Sequence, residues 1–578
     1  MKLVYDLETT SLDVHSCEIL GVAICIEVGT AYYITFPEDE KGILKILKVL
    51  RPYFEDDTIE KVGHNLKFDN QVLKQYGINV KGKLHDTMVT DYILYPERKK
   101  HGLKLLSKLH LNYKQIEFNS IALGKSKEKK TLEGIDPKLI TEYACEDVDQ
   151  TLQIFNFLYP KIESYKLEKI YTLDNRLVEV LTAMEYNGVT IDSQKLLKVE
   201  SEIESRLVGI LESIGKFTGA NININSTKQL NKLLFDELYI EPIGSKNKNG
   251  NYSVSKNVLK KLETKHEIVK MILDYRSLYK VKSTFIKALK KVNPKTKKLH
   301  TSINQTRTET GRLSSSNPNL QNIPSKTIGS KLRECFTASS DQHSLIGVDY
   351  SNIELRVMAI ISRDEKMIKA YREGIDLHKL TASKVLEIPY EDVSDSQRDM
   401  AKAINFGLIY GMTSLGLSES LTNTTGSEYT VEQCQNFINQ YFELYQGVAK
   451  CKEELIYKAT INGYTETLFG RKRSLLNINS NDSYKRESAK RLAMNTPIQG
   501  TAADIIKIAM VNIHDRIQKE ELQSKMILQV HDELLFDVPK NEVVYMEKVI
   551  KHEMENAVHL PVALIADLKT GKTWADVH

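Results

Sequence analysis

The chain has 578 residues, enough for about four domains at roughly 150 residues each. Its 41% hydrophobic and 27% charged residues exclude a disordered or fibrous chain, while 80 basic against 76 acidic residues leave a net charge of +4 that neither requires nor forbids nucleic acid. The six cysteines, Cys17, Cys25, Cys145, Cys335, Cys434 and Cys451, form no Cys-x-x-Cys pair and show no metal-ligand spacing, so free thiols in a reducing compartment are expected.

Residues 1 to about 160 read as an α/β unit opening with three strands at Lys2 to Glu8, Ile19 to Val28 and Ala31 to Phe36. With a strand opening at Lys2 no signal peptide is expected, and the apolar run from Ile19 is far below the roughly 18 residues of a membrane span. A soluble intracellular protein with no membrane partner is the expectation. Asp6 and Glu8 stand two apart on the first strand, so both carboxylates share one face. A helix beginning near Asn65 supplies Asp69, and a later helix places Tyr143 and Asp147 four apart on one face. Taken singly, each acid has a plainer explanation: a solvated strand face, a helix-start charge, half of a surface ion pair. Together, four acids and a tyrosine are what a two-metal phosphodiesterase needs, with ions about 3.5 to 4 Å apart activating a water and steadying the leaving oxygen.

From about 161 to 300 the pattern is mainly helical. Leu173 to Tyr186 has a 3.6-residue period and stops at Asn187-Gly188, Asn225-Ser226 opens a capped helix, and Gly244 to Asn251 is a loop. A lysine-rich tract follows, from Lys280 and Lys282 through Lys287, Lys290, Lys291, Lys295, Lys297 and Lys298; it is either a solvated face or a phosphate-gripping one. A strand-like stretch from Leu345 to Arg356 carries Asp349. In the helical run from Gln397 to Gly411, Arg398, Lys402, Phe406 and Tyr410 recur every four residues, putting two cations and two rings on one face. That face suits a nucleoside triphosphate, although an amphipathic helix with snorkelling cations looks the same; Gly407 and Gly411 favour close approach of something else. Ile527 to Val538 reads as a buried hairpin with His531, Asp532 and Glu533 at its tip, or as an ordinary acidic turn. Were Asp349 and Asp532 about 4 Å apart, their repulsion at an effective dielectric near 20 would be roughly 4 kcal/mol, and a divalent cation is the natural remedy.

These motifs resemble, in order, those of the family A DNA polymerases: Asp349-Tyr350-Ser351 through Arg356, Arg398 through Gly411, and His531-Asp532-Glu533. Further matches run from Thr310 through Pro324 and from Arg491 through Thr501, so the likeness, to the bacterial members without their 5′ nuclease region, spans nearly the whole chain. The resemblance implies an α/β N-terminal ribonuclease H-like exonuclease domain over 1–160 followed by an α+β right-hand polymerase domain over 161–578. Within the latter it implies a thumb at about 190–300, a palm at about 301–370 and 501–578, and fingers at about 371–500.

The implied reaction is templated attack of a primer 3′ oxygen on a deoxynucleoside triphosphate, with 3′–5′ proofreading and no 5′ nuclease. Asp349 and Asp532 would hold two Mg²⁺ ions, and Asp6, Glu8, Asp69 and Asp147 two more, with Mn²⁺ a substitute; Tyr143 would orient the attacking water. Glu354, His378, Arg398, Lys402, Phe406 and Tyr410 match nucleotide contacts, Lys402 also as proton donor to pyrophosphate. Arg312, Asn319, Gln321, Asn322, Arg491, Asn495, Gln499 and His531 match contacts to primer-template DNA. Two positions depart from the family's bacterial pattern: Asp399 where a second Arg is common and Asn352 where Gln is common. Unidentified replication proteins are further expected partners, and a bacterial or phage-infected cytoplasm, or an organelle, the expected location. The competing reading is a dedicated 3′–5′ exonuclease whose C-terminal region only binds nucleic acid.

Overall fold

The computed structural model describes residues 1–122, 131–132, 134–218, 222–324 and 328–578. It divides into two compact units, one of Met1–Asn187, Ser302–Ser316 and Ile346–Lys569, the other of Gly188–Thr301, Asn317–Leu345 and Thr570–His578. None of the described helices is long and apolar enough to cross a membrane, and among the described residues no disulfide joins the cysteines.

The first unit begins with a five-stranded sheet. Its strands are β1 (Lys2–Thr9), β2 (Ile19–Glu27), β3 (Thr30–Thr35), β4 (Glu60–Gly63) and β5 (Leu84–Asp86), in the order β3-β2-β1-β4-β5. The first three are antiparallel, β2 and β3 joined by a tight turn and β1 and β2 by the longer connection 10–18, whereas β4 and β5 run parallel and require crossovers. The helices Glu40–Glu55 and Leu66–Gln75 lie in the connections before β4 and before β5. The central strand β1 is covered on both faces, as its nearly unbroken burial shows. Leu3, Tyr5 and Leu7 face one apolar cluster, while Val4 packs with Ala144 and Val148 of the helix Pro137–Ser164. Because side chains alternate along a strand, Asp6 and Glu8 fall on the Val4 face, under that same helix.

The helix Glu168–Asn187 is apolar on opposite sides. Ile170, Tyr171 and Val178 belong to the core of the five-stranded sheet, while Leu177, Val180, Leu181 and Met184 belong to a second, larger core. A helix buried on two sides joins what it touches, and its exposed residues Thr172 and Arg176 leave the remaining side to solvent. At its middle, Asp174 accepts from Arg471 at 2.8 Å and from Lys507 at 2.8 Å, and Arg471 also reaches Asp504 at 2.8 Å, all four side chains being buried. Two cations and two anions balance where burial keeps bulk solvent from screening them, and the ladder of charge-assisted bonds fixes the helix against Ser483–Lys519.

That second core packs against a four-stranded sheet in the order Lys525–Val530, Glu533–Pro539, His343–Tyr350, Ala566–Gly571. The predicted hairpin is there, with His531 and Asp532 as its two-residue turn and His531 at φ 56°. The strand-like reading of Leu345 to Arg356 holds only as far as Tyr350; Ile353–Ser362 is a helix, entered through Asn352 at φ 52°. Its apolar run is buried on every side, and a short run of that kind carries no periodicity to separate strand from helix. The two glycines also have an internal cause. A Cβ at Gly407 would lie 3.1 Å from the Met412 sulfur, and Gly411 sits at φ +70°, past the end of the helix Asp395–Ile409.

In the second unit, described by itself, the helices Ser193–Thr218 and Glu267–Lys280 enclose a core with Ile214, Leu230, Leu259 and Ile272. Part of the lysine tract is neutralised within the unit: Lys282 pairs with Glu204 at 2.7 Å and Lys290 with Glu200. Buried Trp574 lies against Phe336 and under the Arg333 guanidinium.

Candidate active sites

The first site is built on β1. Asp69, on the helix Leu66–Gln75, is buried and accepts the Leu7 N–H at 3.0 Å, so the backbone of β1 itself orients it. Tyr143 and Asp147, one turn apart on Pro137–Ser164, are both buried, and Tyr143 helps to hold the Asp147 pKa down. The sequence-predicted set of Asp6, Glu8, Asp69, Tyr143 and Asp147 is therefore gathered at one end of the sheet. Burial, then the Asp147 charge, pushes Asp6 up to about 8 against the pull of Lys104. Glu8 is raised by burial and by Asp6, Asp147 and Asp69 in turn. Asp69 is raised by burial and Asp6, against the Leu7 N–H, and Asp147 rises to about 6 through burial, held back by Lys104 and Tyr143.

Two neighbours were not legible in the sequence. Lys104 places its ammonium 3.8 Å from Asp147 Oδ1 and 4.4 Å from the Tyr143 ring centre, and Gln115 Nε2 donates to Asp147 Oδ1 at 2.7 Å. Both follow the Arg98-Lys99-Lys100 surface run, and no spacing rule ties them to the acids.

Among the described residues, no three His, Cys, Asp or Glu side chains converge tightly enough to enclose an ion. The chemistry of the site nonetheless fits a hard divalent cation. Its donors are carboxylate oxygens that raise each other's pKa, and Glu8 Oε1 is buried without a partner.

The second site lies at the hairpin turn. The Tyr350 N–H donates to the Asp532 carbonyl at 3.4 Å, which sets exposed Asp349 and half-buried Asp532 at neighbouring strand ends. Asp532 is raised by burial and by Glu354 and Glu533, with Arg312 opposing. A cavity of about 170 Å³ opens beside it, lined in part by Arg312, Glu354, Tyr410, Lys507, Gln529 and Asp532. Glu354, buried, takes a hydrogen bond from the Arg312 guanidinium and another from the Tyr410 hydroxyl. Burial, then Glu354, raises the Tyr410 pKa, with Gln499 and Arg312 opposing.

The helix Asp395–Ile409 starts at a capping box between Ser394 and Gln397. Arg398 Nε donates to Asp376 at 2.7 Å, Lys402 is exposed, Phe406 is half-buried, and Tyr410 falls one residue past the helix end. His378 is turned inward. Its Nδ1 meets the Asn405 amide nitrogen at 2.9 Å and must accept, which leaves Nε2–H to donate to Asn352 Oδ1 at 3.4 Å. Burial lowers its pKa to about 4, Arg398 and Lys402 adding to the effect and Asp376 opposing it. The ring is thus neutral and occupied at both nitrogens. Asp376 and Asn405 are the partners that sequence reading missed.

Arg491, Asn495 and Gln499 follow one face of Ser483–Lys519. With its amide oriented so that both atoms are satisfied, Asn495 Nδ2 donates to the Ile409 carbonyl at 3.1 Å and to the Arg491 carbonyl at 3.2 Å, and a Cβ on Gly411 would lie 3.2 Å from Arg491 Cγ, so this face lies against the end of the helix carrying Arg398. His531 is exposed at the turn. Asn319 and Asn322, exposed, and Gln321, half-buried, belong to the second unit.

Comparison with known proteins finds two family models that match the chain. Residues 193–576 match the family model described as DNA polymerase family A, and residues 2–163 match one described as 3′-5′ exonuclease. DNA polymerase I of Pseudomonas aeruginosa is 37% identical across all of this chain and 64% of its own length. Its counterpart in Bacillus subtilis is 37% identical over 97% of the chain and 62% of its own length. The chain spans 64% and 60% of the first two curated relatives it matches. Among solved structures, the Pol1 polymerase domain from M. smegmatis, in complex with DNA primer-template and dNTP, covers the whole chain with a TM-score of 0.87 at 30% identity. Proteins of this family and exonuclease domains of this kind are metal-dependent. With residues 193–576 matched by the polymerase model and residues 2–163 by the exonuclease model, the chain belongs to DNA polymerase family A and carries a 3′–5′ exonuclease domain.

Proposed function

We propose that this chain is a DNA-directed DNA polymerase that extends primer 3′ ends, and that its N-terminal domain removes mispaired 3′ ends by hydrolysis. The observation that carries the first half is the backbone bond from Tyr350 to Asp532, which sets the strand end bearing Asp349 next to Asp532, itself beside the cavity of Arg312, Glu354 and Tyr410. Support comes also from the M. smegmatis structure, whose title names primer-template and dNTP.

In this reading Asp349 and Asp532 hold two Mg²⁺ ions, and Asp6, Glu8, Asp69 and Asp147 hold two at the other site; Mn²⁺ would substitute. Such ions, when bound, supply Lewis acidity that activates a hydroxyl or water and offsets charge on phosphate oxygens. Arg398 and exposed Lys402 bind the triphosphate, Lys402 delivering a proton to departing pyrophosphate. His378 reaches a phosphate by giving up its Nε2–H bond to Asn352. Phe406 and Tyr410 border the sugar and base, and Glu354, fixed by Arg312 and Tyr410, crowds the sugar 2′ position. Arg491, Asn495, Gln499 and His531, with Asn319, Gln321 and Asn322, track the primer and template. Tyr143 orients the hydrolytic water.

The palm comprises about 301–370 and 501–578, the fingers about 371–500 and the thumb about 190–300. A labelled primer annealed to a longer template tests the reading. Templated extension with deoxynucleotides and 3′ shortening without them is the expected result; shortening alone would leave a dedicated exonuclease.

A further inference from the structure

We propose that Lys104 is a built-in counter-ion of the exonuclease carboxylates, a positioning residue that competes with divalent metal and so sets how tightly the site takes it. The inference rests on the exonuclease reading of Asp6, Glu8, Asp69 and Asp147. Lys104 reaches the acids through two contacts at once, 3.8 Å from Asp147 Oδ1 and 4.4 Å from the ring centre of Tyr143. A third anchor is its hydrogen bond to the Ile116 carbonyl. The segment that carries it is held in place: Leu106, two residues on, packs with Ile154 and Leu158 of the same helix that carries Tyr143 and Asp147. Its side chain is about one quarter exposed, so the ammonium acts through a medium far less screening than water. Its charge is felt beyond its direct partner, since it pulls down Glu8 and Asp6 as well as Asp147.

A cation so placed has two opposite effects. Without metal it relieves repulsion among buried carboxylates and keeps Tyr143 against Asp147. With metal it repels the incoming dication, so affinity is lower than the carboxylates alone would give.

The test uses the full chain with Asp532→Ala, so that Mn²⁺ binding at the polymerase carboxylates is suppressed. Mn²⁺ binding is measured by calorimetry in this parent, in the parent with Lys104→Gln, and in the parent with Lys104→Arg. A further parent variant with Asp6→Ala and Glu8→Ala identifies the signal belonging to the exonuclease site. Expected are Mn²⁺ binding about tenfold tighter for Lys104→Gln, near-parent binding for Lys104→Arg, and a lower melting temperature for Lys104→Gln in EDTA that returns to the parent value in saturating Mn²⁺. Equal or weaker Mn²⁺ binding by a Lys104→Gln protein that melts like the parent in Mn²⁺ would overturn the proposal. So would a melting deficit that Mn²⁺ does not repair, which would make Lys104 a structural residue only. If the Asp6 and Glu8 substitutions remove no Mn²⁺ signal from the parent, the exonuclease reading itself falls, and the proposal with it.

Discussion

At the scale of single residues, the structure gives Glu354 a sharper role than its motif position did. Its carboxylate is shared between Arg312 and the Tyr410 hydroxyl at the wall of the cavity beside Asp532. Replacing Glu354 with Ala clears the space expected to exclude a 2′ hydroxyl and leaves both partners without their acceptor. Incorporation of ribonucleotides relative to deoxynucleotides should rise at least tenfold, with a higher KM for both; an unchanged ratio in single-turnover incorporation would mean the sugar does not sit there. The acids of β1 were legible because strand parity is a hard geometric rule, and Asp6 and Glu8 obey it. Lys104 was not, because a flexible side chain in a basic stretch reaches its partners through tertiary packing alone. Nor did the sequence reveal that His378 would be buried between Asn405 and Asn352.

At the scale of elements, the hairpin from Lys525 to Pro539 was readable, because two short β-branched and aromatic runs around a polar tip have few alternatives. The helix from Ile353 was misread as strand, since Ile353 to Ala359 is buried throughout and displays no period. Spacing found the row Arg398, Lys402, Phe406, Tyr410, but could not show that the helix ends before Tyr410 or that Gly411 turns the chain. That turn carries a prediction. Gly411 has φ +70° and lies against Arg491, so Gly411→Ala adopts a strained backbone and crowds the Arg491 stem. A loss of about 1–2 kcal/mol in urea unfolding is expected, together with weaker nucleotide binding as Tyr410 shifts. Full stability with unchanged KM would show that the turn tolerates a side chain.

At the scale of the whole molecule, the buried set of Asp174, Arg471, Asp504 and Lys507 ties the helix leaving the exonuclease domain to the long helix Ser483–Lys519. Burial alone would raise Asp174, yet Arg471 and Lys507 prevail and hold it at about 2. Asp174→Ala strands two cations away from water, and a destabilisation of about 3–5 kcal/mol is expected; a change under 1 kcal/mol in urea unfolding would mean that water or Asp504 compensates.

Acid sensitivity follows from buried histidines. His64, His85, His378 and His514 are each lowered to about 4, burial being the main cause in every case. The unfolded chain takes up those protons below about 6.5, the folded one only near 4, so these histidines contribute stability that rises with pH across that window, while Asp6 and Asp147, raised to about 8 and about 6, contribute in the opposite sense. The change in urea midpoint between pH 5 and pH 7, compared in the unsubstituted chain and in His514→Gln, checks it; the variant should gain less from the rise in pH, and an equal gain would contradict it.

The central claim is that two metal-dependent sites, one at β1 and one at the hairpin turn, act independently within one chain. It is tested most directly by assaying matched-primer extension and mismatched 3′-end removal side by side in Asp532→Ala and in Asp6→Ala with Glu8→Ala. Each carboxylate that holds a catalytic metal contributes several kcal/mol to its own transition state, and about 1.4 kcal/mol is tenfold in rate. The account predicts that Asp532→Ala loses extension by at least a thousandfold and keeps 3′ removal, and that the double variant does the reverse. Near-normal extension by the Asp532 variant, or loss of both activities in either one, would contradict it.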